Sequence, residues 1–314
     1  MFGEAPAPDD TTSDMSGTDN EDSGLSDSGT SNDSTSSSDV AEKTPLTDPE
    51  NVSDLIISGL TYTGASLGIG EELTLLRFCV NVKQSLVEHL EMDRSMRTGV
   101  IYAPLEAFDE VNVDNYTVMD WVSALSGKAT IEYFLPTAGD NYITTDNLSW
   151  EKFGTEYVCI PFVETSGGIG ASEYQYGAMS GTYREQAKSA AYIASAQLNA
   201  NYEYGHLTDE LKVIYKNIIN GAVDYANGLS SETADNSMPE LVLDFTVTMK
   251  VGETYTIKPV FKPNVKLDTM YIHSGNSIGV DSQTGKITAY SAGKETVMVV
   301  VAGQEYAISV SVTE

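Results

Sequence analysis

Val280-Asp281-Ser282-Gln283-Thr284-Gly285-Lys286-Ile287-Thr288-Ala289 decides how the C-terminal part of this chain folds. An apolar run ends at Asp281, Thr284-Gly285 supplies a tight turn, and Lys286 to Ala289 alternates polar and apolar as the next strand requires. Gly293 then marks another turn. Working outward, residues 240–314 repeat this grammar of short apolar strands and Gly, Asn and Asp turns. An all-β sandwich is predicted there. Such a module presents or spaces other parts of a protein.

Charge divides the chain further. The formal net charge is −29 over 314 residues. Residues 1–50 hold 13 acids against Lys43 alone, whereas residues 240–314 hold 8 acids and 6 lysines. That leaves about −15 on residues 51–239. With no segment rich in Lys and Arg, phosphate neutralisation has no source, so nucleic acid is excluded as a partner. Anionic membranes and anionic glycans are disfavoured by the same repulsion. Neutral polymers, cationic ligands and other proteins remain. No apolar run reaches membrane-spanning length, and Met1-Phe2-Gly3-Glu4 does not open a signal peptide. Membrane insertion is therefore not expected, and a secreted or cell-surface protein with its signal removed is.

The expected organisation is multi-domain and mainly β. Residues 1–50, rich in Ser, Thr, Asp and Gly, have too little apolar area to offset chain entropy and are predicted to be a disordered acidic linker. Residues 51–229 are read as a β-rich α+β domain, a β-sandwich with two C-terminal helices. Strands are predicted at Ala65–Gly70, Thr74–Asn81, Gly99–Pro104, Lys128–Leu135, Glu156–Val163 and around Tyr174–Gly177, with a short helical turn at Gln84–Leu90. From Tyr183 the period changes to 3.6, predicting helices over Tyr183–Leu198 and from Thr208 toward Tyr225. Residues 230–239 form a polar connector, and residues 240–314 the immunoglobulin-like sandwich. A monomer is expected.

From Leu241 onward the chain resembles the bacterial immunoglobulin-like group 2 family. The resemblance is carried by Val251-Gly252-Glu253-Thr254-Tyr255, Ile257, Pro259, Pro263, Ser274-Gly275-Asn276, Val280-Asp281, Thr284 to Ala289, Gly293 and Thr296-Val297. Tyr271-Ile272 departs from a frequent Trp, and Gly275 from a usual Ser. The resemblance implies a β-sandwich typical of extracellular bacterial proteins, and no catalytic residues. Residues 60–228 are similar to a domain found beside such modules in surface proteins of Gram-positive gut anaerobes. The matching marks are Gly64-Ala65-Ser66, Leu76-Arg77-Phe78, Gly99 to Pro104, Tyr157-Val158, Phe162-Val163, Ala187 to Ala194 and Thr208-Asp209-Glu210. This resemblance implies location more than activity.

Chemistry-bearing motifs are sparse. Gly64-Ala65-Ser66-Leu67-Gly68 has the spacing of a nucleophile elbow, but a strand pattern follows where a helix is required. His89, His206 and His273 lie in separate elements without zinc spacing. Asp109-Glu110 with Asn112 and Asp114 reads as a solvated acidic loop rather than a calcium loop. No catalytic residue, cofactor or metal is therefore assigned, and a non-catalytic protein is expected. Cys79 and Cys159 each sit in an apolar run, and spacing alone leaves a disulfide and two free thiols both open. The aromatic residues carry more information: 18 tyrosines and 2 tryptophans, several of them in polar surroundings where a ring can stack on a sugar face. Trp150, Tyr174, Tyr176, Tyr142 and Trp121 are the candidate ligand-binding residues, although Trp121 with Val122 and Leu125 also fits a core helix face. The expected partner is a neutral glycan, a starch-like glucan being one candidate. A structural or adhesive protein that binds another surface protein is the alternative, and an enzyme of unknown class the third reading.

Overall fold

The structure is a computed structural model of the chain. It describes residues 49–70, 73–110, 124–125, 127–166, 172–176 and 183–314, with backbone only for 49–51, 53, 165–166, 172–176 and 183. The linker expected over residues 1–50 falls almost entirely outside them. The fold is mainly β, an α+β body followed by an immunoglobulin-like sandwich, and the described residues form one compact unit.

The body opens with helix α1 (Pro49–Gly59), which buries Val52 and Ile56 four residues apart on one face. Strands β1 (Leu60–Ile69) and β2 (Thr74–Val82) follow, then helix α2 (Gln84–Met92), strand β3 (Met96–Pro104) and helix α3 (Leu105–Glu110). Next come β4 (Thr130–Phe134), β5 (Gly139–Thr144), a 3-10 turn at Trp150–Lys152, β6 (Tyr157–Ser166) and β7 (Ser172–Tyr176). Two antiparallel sheets result, ordered β1-β2-β5 and β4-β3-β6-β7. Leu76, Phe78, Val80 and Ile143 of the first meet Val100, Tyr102, Cys159 and Val163 of the second in one buried core. The second sheet is also covered on its other face, where Ile101, Val158, Ile160 and Phe162 pack with Phe108 and Leu125. Central strands β3 and β6 are therefore apolar on both sides and read as continuous runs rather than alternating ones.

Three helices close the body: α4 (Tyr183–Gln186), α5 (Ala190–Tyr204) and α6 (Asp209–Ala226). The helix predicted over Tyr183–Leu198 is broken. Lys188 exchanges backbone hydrogen bonds with Tyr157 at 2.9 and 3.1 Å, which holds that residue extended. The Ser189 hydroxyl then accepts from Tyr192 N at 3.0 Å and starts α5 afresh. Thr208 caps α6 in the same way, accepting from Leu211 N. Strand β5 was missed in the sequence because its first residues, Gly139, Asp140 and Asn141, are turn formers. Asn141 spends its side chain on the local turn, accepting from Thr137 N and donating to Thr137 O, while its backbone joins β2.

The C-terminal lobe contains β8 (Glu240–Val242), β9 (Thr246–Lys250), β10 (Thr254–Thr256), β11 (Val260–Lys262), β12 (Thr269–His273), β13 (Ile278–Val280), β14 (Lys286–Ala289), β15 (Gly293–Val301) and β16 (Gln304–Thr313). One sheet runs β12-β15-β16-β9, with β16 and β9 parallel; opposite stand β10-β14-β13 and the pair β11-β8. The Thr284-Gly285 turn joins β13 to β14 as read from the sequence. Asp281 Oδ1 accepts from Gln283 N and Thr284 N at 3.0 and 2.8 Å, and these bonds, Thr284's first, hold its carboxyl below the usual range. Gly285 has φ +65°, and a Cβ there would stand 2.6 Å from the Tyr271 ring. Tyr271 fills the buried place between the sheets, and burial pushes its phenol up to about 12.

One polar knot joins body and sandwich. Tyr192, Ser195 and Asn199 share one face of α5, spaced three and four residues apart. Asp268, just before β12, accepts from Tyr192 Oη at 3.0 Å and from Asn199 Nδ2 at 2.9 Å, and its own N–H donates to Ser195 Oγ at 2.7 Å. Asn199 Oδ1 accepts from Gly303 N at 3.0 Å. Gly303 and Ala302, both at positive φ, form the two-residue turn between β15 and β16. Lys266 to Glu156 and Tyr202 to Glu305 extend the contact at 2.7 and 2.6 Å.

Two outcomes are expected. Gly285→Ala places a Cβ in a left-handed turn and against Tyr271, which should cost about 2–4 kcal/mol in denaturant titration; an unchanged midpoint would show that the turn relaxes freely. Asp268→Ala removes the acceptor of Tyr192 and one of the two acceptors of Asn199, whose bond to the residue 268 carbonyl remains, and should cost about 1–3 kcal/mol. Calorimetry should then read a lower and split transition. A single transition at the original temperature would show that the knot does not couple the lobes.

Candidate binding surface

The second sheet presents a strip that its pairing register builds. Tyr133 of β4 stands opposite Gly99 of β3, Gly99 opposite Phe162 of β6, and Phe162 opposite Tyr176 of β7. In the next row Arg97 pairs with Glu164 and Glu164 with Tyr174. Gly99 has a physical reason to be glycine: a Cβ there would lie 2.6 Å from the Phe162 ring. The bare backbone lets Tyr133 and Phe162 meet edge to face across it, with centroids 5.9 Å apart and planes at 82°. Arg97 lies over the Tyr133 ring at 4.5 Å and bonds the buried Glu164 carboxylate. The guanidinium is thus fixed between a ring and a carboxylate, and it in turn holds the ring in place.

β4 is an edge strand among the described residues. Its alternate residues Ile131 and Tyr133, continued by Leu135, are 36%, 41% and 93% exposed. Glu132 on the inner face, opposite Val100, and Pro136 just past the strand give this edge partial protection against pairing, while the outward apolar side chains remain open to contact. Beside it Leu90, Met96, Phe134 and Pro136 line a hollow of about 260 Å³. This arrangement can accept an extended segment along β4, with a side chain entering the hollow.

The sequence-predicted residues are spread over several elements. Tyr142 is 62% exposed on the outer face of β5, opposite Cys79, whose thiol together with Asp140 pushes its phenol upward. On that face Asn81 donates to Asp140 at 2.9 Å. Trp150 is half-buried and packs edge to face on Tyr225 of α6 at 5.9 Å. Gly221 gives it room, since a Cβ there would meet Trp150 and Phe153. Tyr174 and Tyr176 hold the register positions given above, and their side chains lie outside the described residues, as does Trp121 entirely. Arg97, Tyr133 and Leu135 were not singled out in the sequence. Their signal was present in the alternation Ile131-Glu132-Tyr133-Phe134-Leu135, which was read only as a strand.

Ser66 of the elbow-like pentapeptide sits within β1 opposite Arg77 of β2, without the turn and helix an elbow needs. Asp109 and Glu110 are engaged by Arg184 and Lys128, while Asn112 and Asp114 fall outside the described residues. Among the described residues no three His, Cys, Asp or Glu side chains gather in a group able to hold a metal, and no helix is long and apolar enough to cross a membrane.

No family model matches the chain, and no curated protein does. Solved structures it is similar to include the tandem Ig repeats of Dlar (9% identity, TM-score 0.18, covering 82% of this chain and 98% of that one). Others are Sidekick-1 immunoglobulin domains 1–4 (9%, 0.17, 82% and 49%) and invasin, a bacterial integrin-binding protein (12%, 0.18, 81% and 39%). At these scores the likenesses carry no argument, and the immunoglobulin-like architecture rests on the strand pairing described above.

Cys79 and Cys159 are both free. Cys79 faces outward beside Tyr142, whereas Cys159 faces the core and burial raises its thiol pKa well above the ordinary value. Ellman's reagent should titrate one thiol in the native protein and a second only after denaturation, and Cys79→Ser should abolish the first. Finding no thiol in denatured, unreduced protein would establish a disulfide instead.

Proposed function

We propose that this is a non-catalytic extracellular surface protein that captures another protein by strand addition along β4, with the C-terminal sandwich holding the body at a fixed orientation. The observation that carries the reading is the exposed strip of Ile131 and Tyr133 on β4, an edge among the described residues braced by Arg97, continued just past the strand by Leu135. Tyr, Arg and large apolar side chains concentrate at protein interfaces and dominate their energetics. The strong negative charge favours a partner with basic residues beside its binding segment and quickens their encounter. The resemblances of both lobes to bacterial surface domains support the location.

A neutral glycan is the second reading, and it belongs to a different surface. Tyr142 offers an exposed ring on the flat outer face of the first sheet, flanked by Asn81 and Asp140. A ring beside an amide and a carboxylate suits a sugar face and its hydroxyls.

The two readings separate by substitution. Binding to a cell-surface protein fraction and mobility in gels containing starch, xylan, cellulose or pectin are compared for Tyr133→Ala, Leu135→Asp and Tyr142→Ala. Tyr133→Ala and Leu135→Asp should each weaken protein capture at least about tenfold, equivalent to a truncated hot spot of some 1.4 kcal/mol or more, with Tyr142→Ala unchanged. Retardation on a neutral glycan that Tyr142→Ala abolishes would replace the first reading with the second.

A further inference from the structure

Near the end of α6 two buried side-chain oxygens, one helical turn apart, have no partner among the described residues. Asp224, in the last turn of α6, is 1% exposed. Its Oδ2 accepts from Asn236 N at 3.2 Å, but its Oδ1 is buried with no hydrogen-bond donor among the described residues. Asp235 brings its carboxyl against that of Asp224, and its Oδ1 also accepts from Ser237 N at 3.0 Å. Four residues before Asp224, on the same side of the helix, Asn220 Oδ1 is likewise buried without a partner.

Two carboxylates in contact repel, and a buried one without a counter-charge is costly. Something positive belongs between them. A shared proton would satisfy the carboxyl pair alone. The amide oxygen of Asn220 is a separate, acceptor-only demand, and a proton held by the two acids leaves it unmet. A metal ion satisfies all three. The donors are all oxygen, carboxylate and carbonyl, which selects a hard cation over zinc or copper. The irregular connector, able to add backbone carbonyls and waters, suits the larger and more adaptable coordination of calcium better than the strict octahedron of magnesium.

We propose that Asp224, Asp235 and Asn220 form a binding site for a hard divalent cation of the calcium class, which pins residues 230–239 to α6. The ion acts as a clasp at the point where the chain leaves the body for the sandwich.

Full-length protein stripped with EDTA is titrated with calcium chloride, and in parallel with magnesium chloride, while thermal unfolding and binding heat are followed at neutral pH. Calcium should raise the midpoint by several degrees as expected for linkage to the folded state, with magnesium weaker. Asp235→Asn, at an exposed position that does not threaten folding, should abolish the effect. Asn220→Ala should weaken affinity about tenfold or more. If calcium leaves the wild-type midpoint unmoved, or stabilises Asp235→Asn equally, the proposal fails. If Asp235→Asn is more stable than wild type at neutral pH and neither responds to calcium, the pair shares a proton and no metal site exists.

Discussion

Asp268 is the residue on which the arrangement of the two lobes depends. Its carboxylate takes donors from Tyr192 and Asn199, and its backbone N–H finds Ser195, so three side chains of one helix converge on one residue of the sandwich. α5 can do this because its two sides differ. Ala190, Ala191, Ala194 and Leu198 pack into the body's core, and the small alanines let the helix lie close. The polar side is left for the sandwich. Ser195 and Asn199 are buried, so each bond they make to Asp268 or Gly303 also avoids the cost of an unpaired polar group. Desolvation, and then the neighbouring Asp268 charge, push the Tyr192 phenol up to about 12, which keeps it a donor across the ordinary pH range.

Local chemistry was legible in the sequence wherever one residue type could meet one demand. The Thr284-Gly285 turn needs φ +65° and space for Tyr271, and only glycine supplies both. Thr208 marks the start of α6 because a hydroxyl there meets an orphan helix N–H. The predicted strands β2, β3 and β6 carry apolar runs long enough to be seen. What was hidden depends on partners distant in sequence. The Tyr157–Lys188 bridge that breaks the predicted helix spans two elements, and no helical period reveals it. β5 opens with turn residues and is a strand only because β2 offers it a ladder.

The same distinction governs the candidate site. Trp150 looked accessible because its sequence neighbours are polar, yet its ring rests on Tyr225, some seventy-five residues later in the chain. Tyr133 looked ordinary because alternation marks every half-buried strand. Its interest comes from Gly99 opposite it, Arg97 over it and the lack of a described strand beyond it. Flanking polarity is a poor guide to ring exposure in a sheet, where the neighbours along the chain point to the opposite face.

The near-neutral sandwich and the acidic body could be read as a spacer and a recognition domain swinging about a polar connector. The bonding argues for a different mechanical picture. Residues 230–239 fold back on the end of α6, with Asn236 N–H on Asp224 and Leu229 N–H on the Asp224 carbonyl. Asp268, Lys266, Gly303 and Glu305 of the sandwich are all bonded to the body. A hinge at the connector would have to break these contacts together, taking from Asn199 its partners on the sandwich and from Ser195 all but its bond to the Tyr192 carbonyl. The cost of several such losses is a large part of a domain's net stability. The direction in which β4 presents its edge is therefore set by α5 and its bonds to the sandwich, and that orientation is fixed in folding.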